Sequence, residues 1–398
     1  MTLPVALTTI LETLSQHGHQ GFVVGGSVRD FLMNRPVSDF DVATSATPEQ
    51  MAALFEKTID TGSKFGTMTV MMSGEAYELT TFRIDGEYTD NRKPDTVQFS
   101  TDIAQDLARR DFTINAIAYA SDGQLLDPFG GQAHIERKTI QAVGDPHQRF
   151  NEDALRMLRA LRFATKLGFE IESDTYHALC ELAPLMANIS LERVREELVK
   201  TFLCEHLANA LYLNHSHLLK YVHQAFDAYL QQHLEKAIPS MERAPVDTVI
   251  RWAILLAHMS DADIKSTLRF FKFSNDEIKR IGLLVAHHAM ELTADAYVIK
   301  KHILALGHDG FDDLLTLKKA CQIDCQAVQD VYQAIVRNDE PIFMHQLAVG
   351  GDLLARHGVP KGKGMGELLG KLHEMVLQDP ALNTVPTLLS HITTEQAT

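Results

Sequence analysis

Val23-Val24-Gly25-Gly26-Ser27-Val28-Arg29-Asp30, followed by Ser38-Asp39-Phe40-Asp41-Val42-Ala43-Thr44, reads as a short strand, a glycine turn, the start of a helix and a second strand. In a strand, residues i and i+2 point to the same face, so Asp39 and Asp41 converge on one spot. Two neighbouring carboxylates repel each other. Their hard oxygens suit Mg²⁺, which keeps waters and substrate phosphates in its shell. A Gly-Gly turn between strand and helix lets a phosphate approach backbone N–H groups. Aspartates two apart are common in any sequence; the strand context, the glycines upstream and Arg29 between them give this pair its weight. Metal-binding carboxylates beside a phosphate cradle imply phosphoryl or nucleotidyl transfer. In a two-metal scheme, one ion lowers the pKa of an attacking RNA 3′-hydroxyl and the other stabilises the departing pyrophosphate.

Outward from this stretch, the first ~135 residues alternate strand and helix signals. Strands are expected at Phe22–Val24, Phe40–Ala43, Thr67–Met72 and Glu75–Arg83, the last two joined by a Ser73-Gly74 turn. Helices are expected from Val28 and over Pro48–Phe55, with Thr47 as N-cap. The polar run Asp85–Pro94 has no periodicity and reads as a mobile loop, and Asp127–Gly131 reads as a turn. After about residue 137 strand signals stop and helical periodicity takes over. One helix is expected over Glu152–Leu167 with Asn151 as N-cap, and another over Leu191–Leu203 opened by Ser190. Further helices cover most of 208–340, and the Gly-rich basic run 358–366 reads as a turn. The expected fold is therefore an α+β head on an elongated all-α remainder, divided as 1–136, 137–203, 204–300 and 301–398.

The 398 residues are 45% hydrophobic and 22% charged, ordinary for a globular protein of two or more domains. Four cysteines (Cys180, Cys204, Cys321, Cys325) lack a zinc-ligand pattern and fit a reducing cytoplasm. The amphipathic N-terminus has no basic leader, and no apolar run approaches the ~18 residues of a membrane span, so no membrane partner is expected. A net charge of −15 argues against nonspecific polyanion binding. Basic charge is instead concentrated between Arg137 and Lys166, where seven basic residues face only Asp145, Glu152 and Asp153.

Three further segments carry chemistry. Glu78, mid-strand in Tyr77-Glu78-Leu79, is a candidate third carboxylate, although a solvent-facing glutamate reads the same way. Arg109-Arg110-Asp111-Phe112-Thr113-Ile114-Asn115 begins with adjacent arginines, whose forked donors suit phosphate or ribose; a charge cluster at a helix end is the plainer alternative. In Asn151-Glu152-Asp153-Ala154-Leu155-Arg156-Met157-Leu158-Arg159-Ala160-Leu161-Arg162-Phe163, Asp153 and Arg156 share a helix face at i,i+3, as do Arg159 and Arg162, while Glu152 braces Arg156 at i,i+4. Cytosine and adenine both present an amino donor beside a ring-nitrogen acceptor. A carboxylate and an arginine complement that pattern, and uracil and guanine reverse it. Sites built on such bonds reject the mismatched base strongly. One Asp/Arg pair would thus accept CTP and ATP and refuse UTP and GTP without a template.

These segments, in this order, resemble the class II tRNA nucleotidyltransferase/poly(A) polymerase family, closest to its bacterial CCA-adding branch. The likeness is strong from Gly21 to Leu198, including Ile189-Ser190-Leu191-Glu192-Arg193-Val194-Arg195-Glu196-Glu197-Leu198, and weaker over Leu347–Gly370. It implies a DNA polymerase β-like nucleotidyltransferase head, then helical neck, body and tail regions, with the tail binding tRNA and the tRNA 3′ end as partner. It implies Mg²⁺ on Asp39 and Asp41, nucleotide contacts by Gly26, Arg29, Arg110, Arg159 and Arg162, and base selection by Asp153 and Arg156. Apart from the resemblance, Glu78 stays the candidate third carboxylate, so the expected catalytic residues are Asp39, Asp41 and Glu78. The loop from Asp85 resembles the one that addition of the final A requires. The implied reaction is addition of C, C and A to tRNA from CTP and ATP. An A-adding-only enzyme or a bacterial poly(A) polymerase shares most of these motifs. A non-catalytic RNA-binding protein conflicts with the intact Asp39/Asp41 pair. A metal phosphohydrolase built on His308-Asp309, with His287 and His288 upstream, conflicts with the flanking Gly307 and Gly310, which suit a turn. The sequence does not set oligomeric state, so a homodimer stays open.

Overall fold

The computed structural model describes residues 3–37, 39–85 and 97–395. The loop expected at Asp85–Pro94 lies outside the described residues beyond Asp85. Two compact units divide at Ile238/Pro239.

In the first unit, α1 (Val5–Gln16) buries Leu7, Ile10, Leu11 and Leu14, the spacing of one helical face. β1 (Gly21–Val24) leads through Gly25 into α2 (Gly26–Leu32). β2 (Asp41–Thr44), α3 (Pro48–Leu54), β3 (Thr58–Gly62), β4 (Thr67–Met72) and β5 (Glu75–Thr81) follow. Thr47 opens α3 with a reciprocal capping box: its hydroxyl accepts from Gln50 N–H, and the Gln50 side chain accepts from Thr47 N–H. β6 (Arg83–Asp85) pairs with β7 (Val97–Phe99) as a separate ribbon. Then come α4 (Ile103–Ala108), β8 (Ala118–Ala120), β9 (Leu125–Leu126) and α5 (Gly131–Glu136). Among the described residues these strands form one seven-stranded sheet in the order β3-β4-β5-β2-β1-β8-β9. Its β2–β5 pair is parallel and its other pairs antiparallel. Val24, Ala43, Phe82, Leu107, Ala116, Ala118 and Val143 form a core cluster of this region.

Strand β2 begins at Asp41, so Asp39 precedes the strand rather than lying within it. The same-face argument from strand alternation therefore does not hold for Asp39, although both residues are exposed.

Beyond residue 137 two short strands persist, β10 (Thr139–Ile140) and β11 (Glu170–Ile171), paired in parallel. Two-residue strands are too short to show a period of two, which is why the sequence reading missed them. Between them the expected single helix over 152–167 is two. α6 (Pro146–Glu152) stops where Asp153 turns extended (φ −144°, ψ 102°), and α7 (Leu155–Leu167) starts after Ala154. Asn151 lies inside α6, so the N-cap reading is wrong, and Asp153 and Arg156 do not share one helix. Continuing, α8 (Ser173–Glu181), α9 (Leu191–Phe202) and α10 (Tyr212–Ser216) precede α11 (Gln224–Arg243), inside which the division between units falls.

The second unit is helical among its described residues: α12 (Thr248–Leu255), α13 (Asp261–Phe270), α14 (Asn275–Ala289), α15 (Ala296–Ala320), α16 (Gln326–Arg337), α17 (Gly351–Arg356), α18 (Lys363–Gln378) and α19 (Val385–Glu395). Trp252 is fully buried, edge-to-face with Phe273. Around α17 to α19, Val349, Leu354, Val359, Met365, Leu372, Val376 and Leu388 form a local core. Only Gly307 (φ 76°, ψ 172°) breaks α15, so His308 and Asp309 resume helix rather than form a turn. Likewise the Gly-rich run is a turn only as far as Gly362, because α18 begins at Lys363.

Candidate nucleotide site

Gly25 sets the geometry of the β1–α2 turn. Its φ of 75° is a conformation L side chains rarely adopt, and a Cβ there would stand 2.9 Å from Arg110 Nη1. Missing that carbon, the turn lets the Arg110 guanidinium close against it. Ser27 Oγ donates to Val24 O at 3.0 Å and ties the first turn of α2 back to β1.

A cavity of about 420 Å³ opens beside this turn, lined by Gly25, Gly26, Arg29, Asp41, Arg109, Arg110, Asp111, Asn115, Asp153, Arg156, Arg159 and Phe163. Residues of the β1–α2 turn, of the segment after α4 and of α7, far apart in sequence, thus share one wall. On α7, Arg156, Arg159 and Phe163 fall at i, i+3 and i+7, the spacing of one helix face. Of the sequence-derived candidates, Gly26, Arg29, Asp41, Arg110, Asp153, Arg156 and Arg159 line this cavity. Asp39, Glu78 and Arg162 stand outside its lining.

The carboxylate corner is built by register. Asp41 on β2 pairs with Glu78 on the parallel β5. Along β5, Tyr77, Leu79 and Thr81 are buried and Glu78 is exposed, so alternation turns Glu78 to the solvent face as Asp41 opens β2. Lost hydration raises the Asp41 carboxyl above its usual range; Arg110 pulls it down and Asp39 pushes it up. Glu78 is raised by lost hydration and then by Asp41. This corner therefore carries crowded negative charge that a cation would relieve. Among the described residues no three His, Cys, Asp or Glu side chains are gathered as a ligand set. Mg²⁺ needs only one or two carboxylates when phosphates and waters complete its shell, so Asp39 and Asp41 fit such an ion.

The cationic wall is held by buried pairs. Arg29 is 3% exposed; it pairs with Asp30 at 2.8 Å, and its Nη1 donates to Asn115 Oδ1 at 2.7 Å. Asn115 Nδ2 donates to Asp111 Oδ1 at 3.1 Å, and Asp111 Oδ2 accepts from Arg159 Nη2 at 2.5 Å and Nε at 2.8 Å. This chain, Arg29–Asn115–Asp111–Arg159, joins the glycine turn to α7. Burial alone would raise the Asp111 carboxyl, but Arg159, Asn115 and Arg156 hold it down at about 2. Asp106, also buried, pairs with Arg109 at 2.7 Å and Arg110 at 3.2 Å. Burial would raise it too, and the two arginines outweigh burial. Arg110 Nε is buried without a hydrogen-bond partner among the described residues.

Glu152 braces Arg156 at 2.5 Å, as its spacing implies, although the two lie on successive helices. Arg156 Nη2 also donates to Arg109 O at 3.0 Å. Asp153 accepts from Arg193 Nη1 at 3.2 Å and Nη2 at 2.7 Å, and caps α7 by accepting from Leu155 N–H at 3.1 Å. Arg162 pairs with Glu197 at 2.5 Å. Sequence reasoning assigned no role to Asp111, Asn115, Phe163, Arg193 and Glu197. All five stand inside segments it quoted, so the signal was their presence beside the arginines, without the partners that only the fold supplies.

The Poly A polymerase head domain matches residues 21–141, the "Probable RNA and SrmB- binding site of polymerase A" matches 168–230, and tRNA nucleotidyltransferase domain 2 matches 247–392. The CCA-adding enzyme of Leuconostoc citreum is 35% identical over 395 residues, covering 96% of this chain and 94% of that one. The chain belongs to the CCA-adding enzyme family. The CCA-adding enzyme of Geobacillus kaustophilus is 45% identical over 278 residues, 70% of this chain and 68% of its own. Among solved structures, the CCA-adding enzyme of Bacillus stearothermophilus in complex with CTP is similar with a TM-score of 0.86 at 32% identity, covering 100% of both chains. The Thermotoga maritima CCA-adding enzyme complexed with tRNA shares the fold at 19% identity and a TM-score of 0.64. CCA-adding enzymes are nucleotidyltransferases and generally use a divalent metal. No helix among the described residues is long and apolar enough to cross a membrane.

Proposed function

We propose that this CCA-adding enzyme family member adds C, C and A to tRNA 3′ ends from CTP and ATP, without a template and with release of pyrophosphate, in the cytoplasm. The observation that carries the reading is the single cavity uniting the glycine turn, Asp41, Arg29, Arg110, Asp153, Arg156 and Arg159.

Asp39 and Asp41, with Glu78 beside them, would hold Mg²⁺. When bound, that ion supplies Lewis acidity at the phosphates and at the attacking hydroxyl. The chain's own residues do the rest. The Gly25-Gly26 turn offers backbone N–H groups at the start of α2 and room for a phosphate to come close. Arg29, Arg110, Arg159 and Arg162 neutralise the triphosphate. Asp153 accepts from the exocyclic amino group of cytosine or adenine, and Arg156 donates to the adjacent ring nitrogen. Asp111 and Asn115 fix the arginines of head and neck relative to each other. On this reading residues 1–136 are the catalytic head, 137–203 read the base, 204–300 are the body and 301–398 bind tRNA. Lys361, in the turn before α18, and Lys363, its first residue, are exposed and suit backbone phosphates.

Equilibrium binding tests the pocket. With Mg²⁺ present, CTP and ATP are expected to bind, with UTP and GTP at least ~100-fold weaker. Equal binding of all four nucleotides contradicts the assignment of Asp153 and Arg156.

A further inference from the structure

Phe163 has no role in the reading above, yet three arginines meet on it, Arg29 and Arg159 from the cavity lining and Arg162 from just outside it. The guanidinium carbon of Arg162 stands 4.3 Å from the ring centroid, that of Arg159 5.3 Å and that of Arg29 5.4 Å. All three fall within the ~6 Å over which a ring quadrupole attracts a cation. The ring is 6% exposed and forms part of the cavity wall. Phe112 braces it edge-to-face, centroids 5.8 Å apart and planes at 78°. Two of the arginines lie on α7 with Phe163; Arg29 arrives from α2.

Three like charges gathered on one side chain repel. Each has a carboxylate partner: Asp30 for Arg29, Asp111 for Arg159 and Glu197 for Arg162. A carboxylate, however, occupies N–H donors and opposes an incoming anion. A ring attracts the guanidinium through its π-face, occupies no donor and adds no negative charge. A guanidinium has five N–H donors. Arg159 gives two to Asp111, Arg162 gives one to Glu197, and Arg29 gives two to Asp30 and one to Asn115, so each keeps donors for phosphate oxygens.

We infer that Phe163 is a positioning residue for the nucleotide's phosphates: its ring holds Arg29, Arg159 and Arg162 in one cluster while leaving their donors available. The inference rests on the reading that these arginines bind phosphate. Phe163 acts through the arginines rather than the base, so its effect falls equally on CTP and ATP and leaves base choice alone.

The test replaces Phe163 in the full chain by mono-, di- and trifluorophenylalanine, which weaken the quadrupole stepwise at nearly constant shape. Affinity for inorganic tripolyphosphate is measured by calorimetry, with KM and kcat for CTP and ATP. Affinity is expected to fall stepwise, by about tenfold across the series. KM should rise in parallel for both nucleotides, with kcat and the preference for CTP over UTP retained. Phe163→Tyr should bind as the parent does, and Phe163→Leu should match the trifluoro variant. Arg159→Ala serves as the control. A flat fluorine series while Arg159→Ala loses tripolyphosphate binding overturns the role of Phe163 alone. Unchanged binding in both overturns the phosphate site itself.

Discussion

Both oxygens of Asp153 are engaged by Arg193, and one also caps α7. A carboxylate fixed at several points offers a base its acceptor in one orientation, and orientation is what separates cytosine from uracil. Asp153→Ala is therefore expected to lower the preference for CTP over UTP by roughly 100-fold or more while leaving metal binding intact. Single-turnover incorporation of each nucleotide reads the ratio, and a variant that keeps full selectivity would sink the template role. Arg193→Ala leaves the carboxylate held only by Leu155 N–H, so an intermediate loss is expected in the same assay. The residue types of Asp153 and Arg156 are what suggest the base-reading chemistry proposed for them. The anchor of Asp153 was not legible, because Arg193 lies on α9 and nothing local in the sequence pairs the two.

At the scale of elements, the β1–α2 turn and the α6–α7 break aim the site. The first was legible, since Gly25-Gly26 between an apolar strand and a helix start is a strong local signal. Gly25→Ala is expected to cost about 1–2 kcal/mol of stability from its positive φ, and to displace Arg110. Thermal melting together with KM for CTP checks this; a variant with parental values of both would show that the close approach does not matter. The second was not legible. The run from Glu152 to Leu167 has unbroken helical periodicity, and the chain departs from it at Asp153 where the Arg193 contact and the cap on Leu155 favour an extended residue. Asp39 illustrates the same limit on a smaller scale. Alternation placed it in a strand, but the ladder to β5 begins only at Asp41 opposite Glu78.

Across the whole molecule, the segment after α4 and helix α7 are tied through Asp111, whose buried carboxylate bonds Asn115 and Arg159. Its folded value of about 2 lies below its usual 3.8. A depressed carboxyl contributes stability that is fully present above the usual value and is lost as pH falls through the folded one. The contribution is on the order of 2 kcal/mol at neutral pH. The stability gap between the parent chain and Asp111→Asn, measured by calorimetry, should therefore be constant above about pH 5 and close between pH 4 and 2; a gap independent of pH contradicts the pairing. The change from mixed strands and helices to a mostly helical chain was legible in the changing period of apolar residues. The division at Ile238/Pro239 was not, because it falls inside α11 with no change of composition to mark it.

The central claim is that one site selects C, C and then A for a tRNA 3′-hydroxyl. The purified chain, Mg²⁺ and tRNA lacking CCA, lacking CA or lacking only A, supplied with each nucleotide separately and with CTP and ATP together, test it most directly. Two C additions from CTP, one A addition to the tRNA that lacks only A, and a stop at CCA when both are present are expected. Long A tails, incorporation of U, or no incorporation would contradict the claim.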